Sequence, residues 1–208
     1  HQVEESQKAV AKMEVIIGDP DRLRAVAEDF IKHYETRVAE GATVAGKAMF
    51  VCSNRNIAYD FYKIVKELRP EWTEKKICDD GVVLSEKDKK ELKPMEKIKL
   101  VMTRNKDDEK DLFDMLGTKE DRKEFDRQFK NPKSNFKIAI VVDMWLTGFD
   151  VPELDTIYID KPIQQHTLIQ TISRVNRVCE GKDKGLIVDY IGIKKNMNTA
   201  LKKYTNFE

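Results

Sequence analysis

The stretch from Ile138 to Arg177 constrains the fold most strongly. It begins with IAIVV at 138–142, a continuous apolar run rich in β-branched residues. Such a run, bounded by polar residues, predicts a strand buried on both faces. A polar loop, DMWLTGFDVPELD, leads to a second strand-like run, TIYID. Because ligands bind at the carboxyl ends of strands in open parallel sheets, we expect the loop from Asp143 to Asp155 at a ligand-binding edge.

An amphipathic helix, HTLIQTISRVNRV, follows the second strand. At about 100° per residue, Gln170, Arg174 and Arg177 share one face of this helix. The apolar residues lie on the opposite face, which predicts docking on the sheet: Leu168, Ile172, Val175 and Cys179. Two arginines three positions apart are neighbours, and they repel each other mildly unless an anion lies between them. The polar face is therefore either a solvated helix surface or an anion-binding site.

The rest of the chain alternates helical and strand-like patterns. Apolar residues recur at helical spacing in 20–40 and again after the strand AMFVC, where Ser53 or Asn54 can cap the helix. KIKLVMTRN and KGLIVDYIG predict two further strands, and 107–130 predicts helix with a break at Gly117 and a capping box beginning at Thr118. Such alternation predicts an α/β fold with a parallel sheet of five or six strands.

Residues 70–97 carry weaker patterns. Ile77-Cys78 and Gly81-Val-Val-Leu84 indicate an edge strand or hairpin, and the charge run SEKDKKELKP indicates an exposed insert. Trp72 is interpreted as a packing residue.

A phosphate-binding loop is suggested by GATVAGK at 41–47, which matches G-x-x-x-x-G-K. A functional loop of this type follows a strand, opens a helix and places Ser or Thr after the lysine. Here Ala48 stands in that position, and the segment follows a helix and precedes a strand. We therefore interpret these residues as a linker.

Composition limits the classes of function. The 208 residues are 40% apolar and 36% charged with a formal net charge of +1, so any nucleic-acid contact should be local. No apolar run approaches the length of a membrane span, and no signal-peptide pattern is present. The cysteines are odd in number and widely separated, which predicts buried thiols in a reducing compartment: Cys52, Cys78 and Cys179. His1, His33 and His166 lack ligand spacing, so we predict no metal site.

A family resemblance rests on the central stretch. TGFD at 147–150, VPE at 151–153 and Q-x-x-S-R-x-x-R at 170–177 resemble motifs V and VI of superfamily 2 helicases. The longer sequence around these motifs resembles the motor of the R (restriction) subunit of type I restriction enzymes. This sequence is VVDMWLTGFDVPELDTIYIDKP followed by QTISRVNR. The resemblance extends from about Asp19 to Tyr204.

The resemblance implies the second motor domain of such a subunit, a RecA-like sheet of the P-loop-NTPase type without its own P-loop. It divides the chain into a lead-in helical segment (1–40), a RecA-like helicase C-terminal domain (41–192) and a C-terminal helix (193–208). A chain that begins with His1 and carries only the second half of the motor pattern is expected to be a fragment.

Site residues follow from the same resemblance. Arg177 would be the arginine finger, with Arg174 beside it on the γ-phosphate. Gln170, Asp150 and Gly148 would contact the nucleotide.

The resemblance also implies contacts with the DNA backbone. These involve Thr147, Thr103, Ser53 and Arg55, although Ser53 could instead only cap its helix. Asp143 and Asp189 end strands near the same edge and receive no catalytic role.

The implied activity of the parent protein is ATP-driven translocation on double-stranded DNA before endonuclease cleavage. ATP and Mg²⁺ would be bound mainly by the first RecA-like motor domain, and the other partners would be the modification and specificity subunits in a bacterial or archaeal cytoplasm. The isolated chain is expected to be inactive.

Two alternatives remain. One is the second RecA domain of another superfamily 2 DNA or RNA helicase. The other is a non-catalytic RecA-like interaction module in which Arg174 and Arg177 bind a protein carboxylate.

Overall fold

The fold is built on one five-stranded parallel sheet. The computed structural model describes residues 1–146, 151, 153–164, 167, 170, 171 and 185–191. The strands are β1 (Lys47–Cys52), β2 (Ile98–Leu100), β3 (Ile138–Val141), β4 (Leu154–Asp160) and β5 (Leu186–Asp189). They are arranged in the order β2-β3-β1-β4-β5, and every neighbouring pair is parallel. The predicted parallel α/β sheet is confirmed.

Helices connect the strands. They are α1 (Gln2–Ile17), α2 (Pro20–Ala39), α3 (Arg55–Leu68), a 3₁₀ helix (Pro70–Thr73), α4 (Glu86–Glu91), α5 (Lys110–Leu116) and α6 (Lys119–Lys130). Four of the described helices, α2, α3, α4 and α6, begin with a side-chain cap. Asn54 caps α3 by accepting from the Ile57 amide at 2.9 Å. Thr118 and Asp121 form the predicted capping box of α6.

Both faces of the sheet are buried, which explains the continuous apolar strands. On β1, Ala48, Phe50 and Cys52 point to the face covered by α2, α3 and α5. Met49 and Val51 point to the other face, which α6 and the loop after β3 cover. The first face holds an aromatic cluster in which Phe30 of α2 lies 4.7 Å from Tyr158 and 5.1 Å from Phe50 between ring centroids.

Residues 70–97 differ from the prediction of an edge strand or hairpin. Their only β pairing within the described residues is an isolated antiparallel bridge between Lys76 and Met95. The segment 80–84 is an irregular exposed loop, with Val83 89% exposed. The charged insert forms α4, because Ser85 and Asp88 make a capping box. Trp72 is buried, which confirms its packing role.

Lys47 explains why the GATVAGK segment is not a phosphate loop. The segment follows α2 and leads into β1, and Lys47 is buried. Its ammonium donates to the Phe136 carbonyl and, at 3.4 Å, to the Gln128 carbonyl. The lysine therefore points into the protein interior, where backbone carbonyls satisfy its hydrogen bonds.

An arginine ties the α1–α2 junction to the sheet. The Arg22 guanidinium donates to both carboxylate oxygens of Asp160 at the end of β4 and to the carbonyl of Ile17 at 2.9 Å. It also reaches the carbonyl of Tyr190 after β5 at 3.3 Å. Most of α1 is exposed beyond this junction. Among the described helices, none has the length and apolarity needed to cross a membrane.

Candidate functional site at the carboxyl edge of the sheet

The parallel topology gathers chemically distinct side chains at one edge. Ser53 follows β1, Thr103 follows β2 by three residues, Asp143 follows β3 and Lys161 follows β4. Because all strands run in the same direction, their carboxyl ends meet at this edge. The loop after β3 begins at this edge, as its sequence predicted. Its predicted end, Asp155, lies instead in β4, near the amino end of that strand.

Arg55 is held in an intramolecular network. Its Nη2 donates to both carboxylate oxygens of Asp108, at 2.8 and 2.7 Å, and its Nη1 donates to the Thr103 carbonyl. The backbone amide of Asn105 also donates to Asp108, at 2.7 Å. These bonds fix the loop after β2 against the start of α3, and they leave the Thr103 side chain exposed.

These contacts change the pKa of the Asp108 carboxyl group. Burial alone would raise its pKa. The hydrogen bonds from the Asn105 amide and the Arg55 guanidinium outweigh burial, so the pKa of Asp108 is lowered. The ion pair with Arg55 is therefore formed at neutral pH.

A cavity of about 200 Å³ lies beside this network. Arg55, Thr103, Asp143 and Met144 contribute to its lining. The Lys161 ammonium donates to the Val142 carbonyl at 3.0 Å and to the Asp143 carboxylate. Asp143 thus takes part in an exposed ion pair. Asp189 accepts from the Ile191 amide at 2.8 Å, which is a local structural role.

Ser53 does not cap α3, because Asn54 does. Within the described part of the chain its hydroxyl makes no hydrogen bond. Ser53 is half-buried and lines a second cavity of about 480 Å³, together with Met13 of α1, Lys161 and Ile163. The capping alternative for Ser53 was therefore wrong, and its hydroxyl is left available for a ligand.

Gln170 is exposed on a helix that follows β4. The next residue, Thr171, is buried and donates its hydroxyl to the Thr167 carbonyl at 2.8 Å. The polar side of this helix therefore faces outward at Gln170, as the sequence predicted.

The remaining predicted site residues lie outside the described residues: Thr147, Gly148, Asp150, Arg174 and Arg177. The residues before Thr147 are anchored, however. The Trp145 ring stacks on Phe129 of α6 with centroids 5.3 Å apart, and Leu146 is buried. Trp145 has φ 68°, a left-handed conformation that is strained for a bulky residue and that occurs often at functional loops.

Cysteine and acidic side chains do not assemble a metal site in the described ranges, where no group of three or more potential ligands occurs. Cys52 is buried as predicted, whereas Cys78 is only half-buried because it lies in the irregular segment before α4. Cys179 lies outside the described residues.

Sequence comparison identifies the family. A sequence model described as type I restriction enzyme subunit R domain 3 matches residues 44–192. The chain belongs to this family. The predicted relationship to R subunits is confirmed, which sets aside the alternative of an unrelated helicase.

Curated relatives agree with the assignment. The chain is 37% identical over 206 residues to the type I restriction enzyme HindI endonuclease subunit of Haemophilus influenzae, covering 98% of this chain and 18% of that protein. It is 39% identical over 207 residues to the MjaIXP endonuclease subunit of Methanocaldococcus jannaschii, covering 99% of this chain and 17% of that protein. The chain thus spans less than a fifth of the length of these relatives.

Solved structures share the fold at low sequence identity. A fragment of an HsdR subunit of a type I restriction enzyme from Vibrio vulnificus YJ016 has a TM-score of 0.54 and 15% identity, covering 85% of this chain and 29% of that one. The crystal structure of T4 UvsW has a TM-score of 0.50 and 15% identity, covering 86% and 27%. The fold is therefore the RecA-like α/β fold that the sequence predicted.

Two residues of this edge were not found from the sequence. Asp108 pairs with Arg55 across 53 positions, and Lys161 pairs with Asp143 across 18. Neither pair has a local spacing signal, because both arise only when the strand order is known.

Proposed function

We propose that this chain is the second motor domain of a type I restriction enzyme R subunit and supports ATP-driven translocation on double-stranded DNA before cleavage. The observation that carries the proposal is that Ser53, Thr103 and the start of the loop after β3 lie at the same sheet edge, while Gln170 is exposed on the helix after β4. The endonuclease subunits among the relatives of this chain support it.

The ATP-facing part of the proposal concerns the helix after β4. Arg177 would act as the arginine finger and Arg174 would bind the γ-phosphate, because a planar guanidinium suits the spread charge of phosphoryl transfer. Gln170, Asp150 and Gly148 would contact the nucleotide. The first motor domain would bind most of the ATP and the Mg²⁺.

The DNA-facing part concerns the hydroxyls of Ser53, Thr103 and Thr147, which would donate to backbone phosphates. Arg55 would position the Thr103 loop through Asp108, and its remaining donor capacity would add to the phosphate contact. These contacts would carry no base sequence information, because they reach only the sugar-phosphate backbone. Modification and specificity subunits would be the further partners.

A test of the division of labour compares steady-state ATP hydrolysis by this chain with hydrolysis by the complete R subunit. We expect no turnover by this chain alone, and DNA-stimulated turnover by the complete subunit. Turnover by the isolated chain would contradict the proposal.

The DNA contacts are tested separately in the complete subunit. Thr103→Val preserves the shape of the side chain and removes the hydroxyl, and Ser53→Ala does the same at the second position. We expect weaker binding of double-stranded DNA with unchanged ATP affinity. Unchanged DNA affinity in the double variant would remove these residues from the interface.

A further inference from the structure

Three lysines lie at the amino ends of adjacent strands. Lys97 directly precedes β2, Lys137 directly precedes β3, and Lys47 opens β1. The Lys137 amide donates to the Lys97 carbonyl at 2.9 Å, and the Ala48 amide donates to the Lys137 carbonyl at 2.9 Å. Since neighbouring strands lie about 4.8 Å apart, these three lysine residues are brought close together at this edge, opposite the site described above.

Lys47 points into the protein interior, where burial lowers its pKa well below the usual value for lysine. Its ammonium donates to the Phe136 carbonyl and lies 5.2 Å from the centre of the Phe129 ring. The other two lysines turn toward a cavity, so the functional question concerns Lys97 and Lys137.

Lys97 is half-buried and has no carboxylate partner. Its Nζ lies 5.2 Å from the centre of the Trp72 ring and 5.5 Å from that of Tyr34. Within the described part of the chain, it forms no salt bridge. Burial lowers the pKa of Lys97, and nearby carboxylates, of which Asp79 has the largest effect, only partly oppose it. An anion beside this ammonium would offset its lost hydration.

Lys137 lies next to Asp79, the one carboxylate among the described residues that line the cavity. Its Nζ donates to the Pro132 carbonyl at 3.1 Å and lies 3.7 Å from the Asp79 carboxylate. The Asp79 side chain is 56% exposed, so it is a rim group that can turn toward solvent. Lys97 and Lys137 therefore line a cavity in which the one carboxylate among the described lining residues is exposed. Glu35 and Glu71 act on Lys97 from outside that lining.

The cavity has a volume of about 440 Å³. Tyr34, the loop Thr43–Gly46, Asp79 and the two lysines contribute to its lining. Lys133 also lines it, but this lysine pairs with Asp88 at 2.6 Å. Among the described lining residues there is no arginine. A lysine ammonium group binds phosphate as a compact point charge, so phosphate binding does not require an arginine.

We propose that this cavity is a binding site for a phosphate group, either free inorganic phosphate or a phosphate monoester, with Lys97 and Lys137 as its ligands. The anion would lie between the two ammonium groups, and Asp79 would turn outward. The site is at the amino edge of the sheet and does not depend on the proposed motor function.

The direct test is a calorimetric titration of inorganic phosphate into the 208-residue chain at constant ionic strength set with sodium chloride. We expect saturable binding at one site. Lys97→Met and Lys137→Met retain most of the aliphatic side chain and should each weaken binding by at least about tenfold, since each removes a charge-assisted hydrogen bond. Lys32→Met, on an exposed residue of α2, should leave binding unchanged.

A variant that is expected to bind phosphate more tightly separates effects on binding from effects on folding. Asp79→Asn removes the competing carboxylate and should tighten phosphate binding. Urea midpoints without phosphate establish that each variant is folded. No saturable binding, or unchanged affinity in both lysine variants, would overturn the proposal.

Two further titrations identify the source of the phosphate group. If adenosine monophosphate binds more tightly than inorganic phosphate, the ligand of the cavity is a phosphate monoester. If it binds equally or more weakly, the ligand is the free phosphate ion. Succinate binding as tightly as phosphate would contradict the choice of a phosphate ligand.

Discussion

At the residue scale, Arg55 could either bind a phosphate or hold the loop after β2 in place. A cation at the start of α3 suits a phosphate, yet its guanidinium is already bound to Asp108 and to the Thr103 carbonyl. The arrangement makes the Thr103 loop rigid and presents its hydroxyl. Arg55 therefore contributes to the candidate DNA contact mainly through position.

Asp108 gives a prediction about pH. Its pKa is lowered in the folded chain relative to about 3.9 in an unfolded one, so its contribution to stability is complete above about pH 4 and is lost as pH falls through the folded value. Asp108→Asn should therefore reduce the free energy of unfolding at neutral pH and flatten its decline below about pH 4.

Urea unfolding followed from neutral to acidic pH measures this difference. Asp107→Asn, on the exposed neighbouring residue, is the matched control and should follow the wild type. If the free energy of unfolding depends on pH in the same way in the wild type and in Asp108→Asn, the Asp108 carboxylate does not stabilise the fold through its contacts with Arg55 and Asn105.

At the scale of elements, local signals predicted helix starts well. Thr118 caps its helix as expected, and Asn54 is the correct one of two cap candidates, because a cap needs only a side chain and an amide two or three residues away. The buried strands were predicted from their apolar runs. The error in 70–97 arose because a short β-branched run forms a strand only if the sheet offers it a partner.

Contacts between distant elements could not be predicted in this way. The Arg22–Asp160 pair joins α2 to β4 across 138 positions, and the lysines at the amino edge become neighbours only through the order β2-β3-β1. Each lysine was visible before its strand, but the sequence does not specify which strands are adjacent.

The Arg22–Asp160 pair carries a prediction at this scale. Asp160 is 0% exposed, so Arg22→Met would leave a buried carboxylate without its main partner. We expect the free energy of unfolding to fall by about 3–5 kcal/mol. Arg24→Met on the same helix removes only exposed ion pairs and should cost less than about 1 kcal/mol.

Urea unfolding of Arg22→Met, of Arg24→Met and of the double variant Arg22→Met with Asp160→Asn measures how far Arg22 and Asp160 stabilise each other. The double variant should be more stable than Arg22→Met alone, because no buried charge is left unpaired. A loss in Arg22→Met no larger than in Arg24→Met would show that the pair does not fasten α2 to the sheet.

At the scale of the whole molecule, the two edges of the sheet have different chemistry. The carboxyl edge carries the hydroxyl groups of Ser53 and Thr103, whereas the amino edge has Lys97 and Lys137 around a cavity. Both proposed anion sites are local, which agrees with the formal net charge of +1 of the chain.

The most direct test of the motor assignment is DNA-stimulated ATP hydrolysis by the complete R subunit carrying Arg177→Ala. Arg127→Ala, on an exposed arginine of α6, is the matched control. We predict that Arg177→Ala lowers kcat by about 10³-fold or more while nucleotide binding is kept, and that the control is unaffected. Full DNA-stimulated turnover by Arg177→Ala would contradict the account, because the polar face of the helix after β4 would then be no part of the catalytic site.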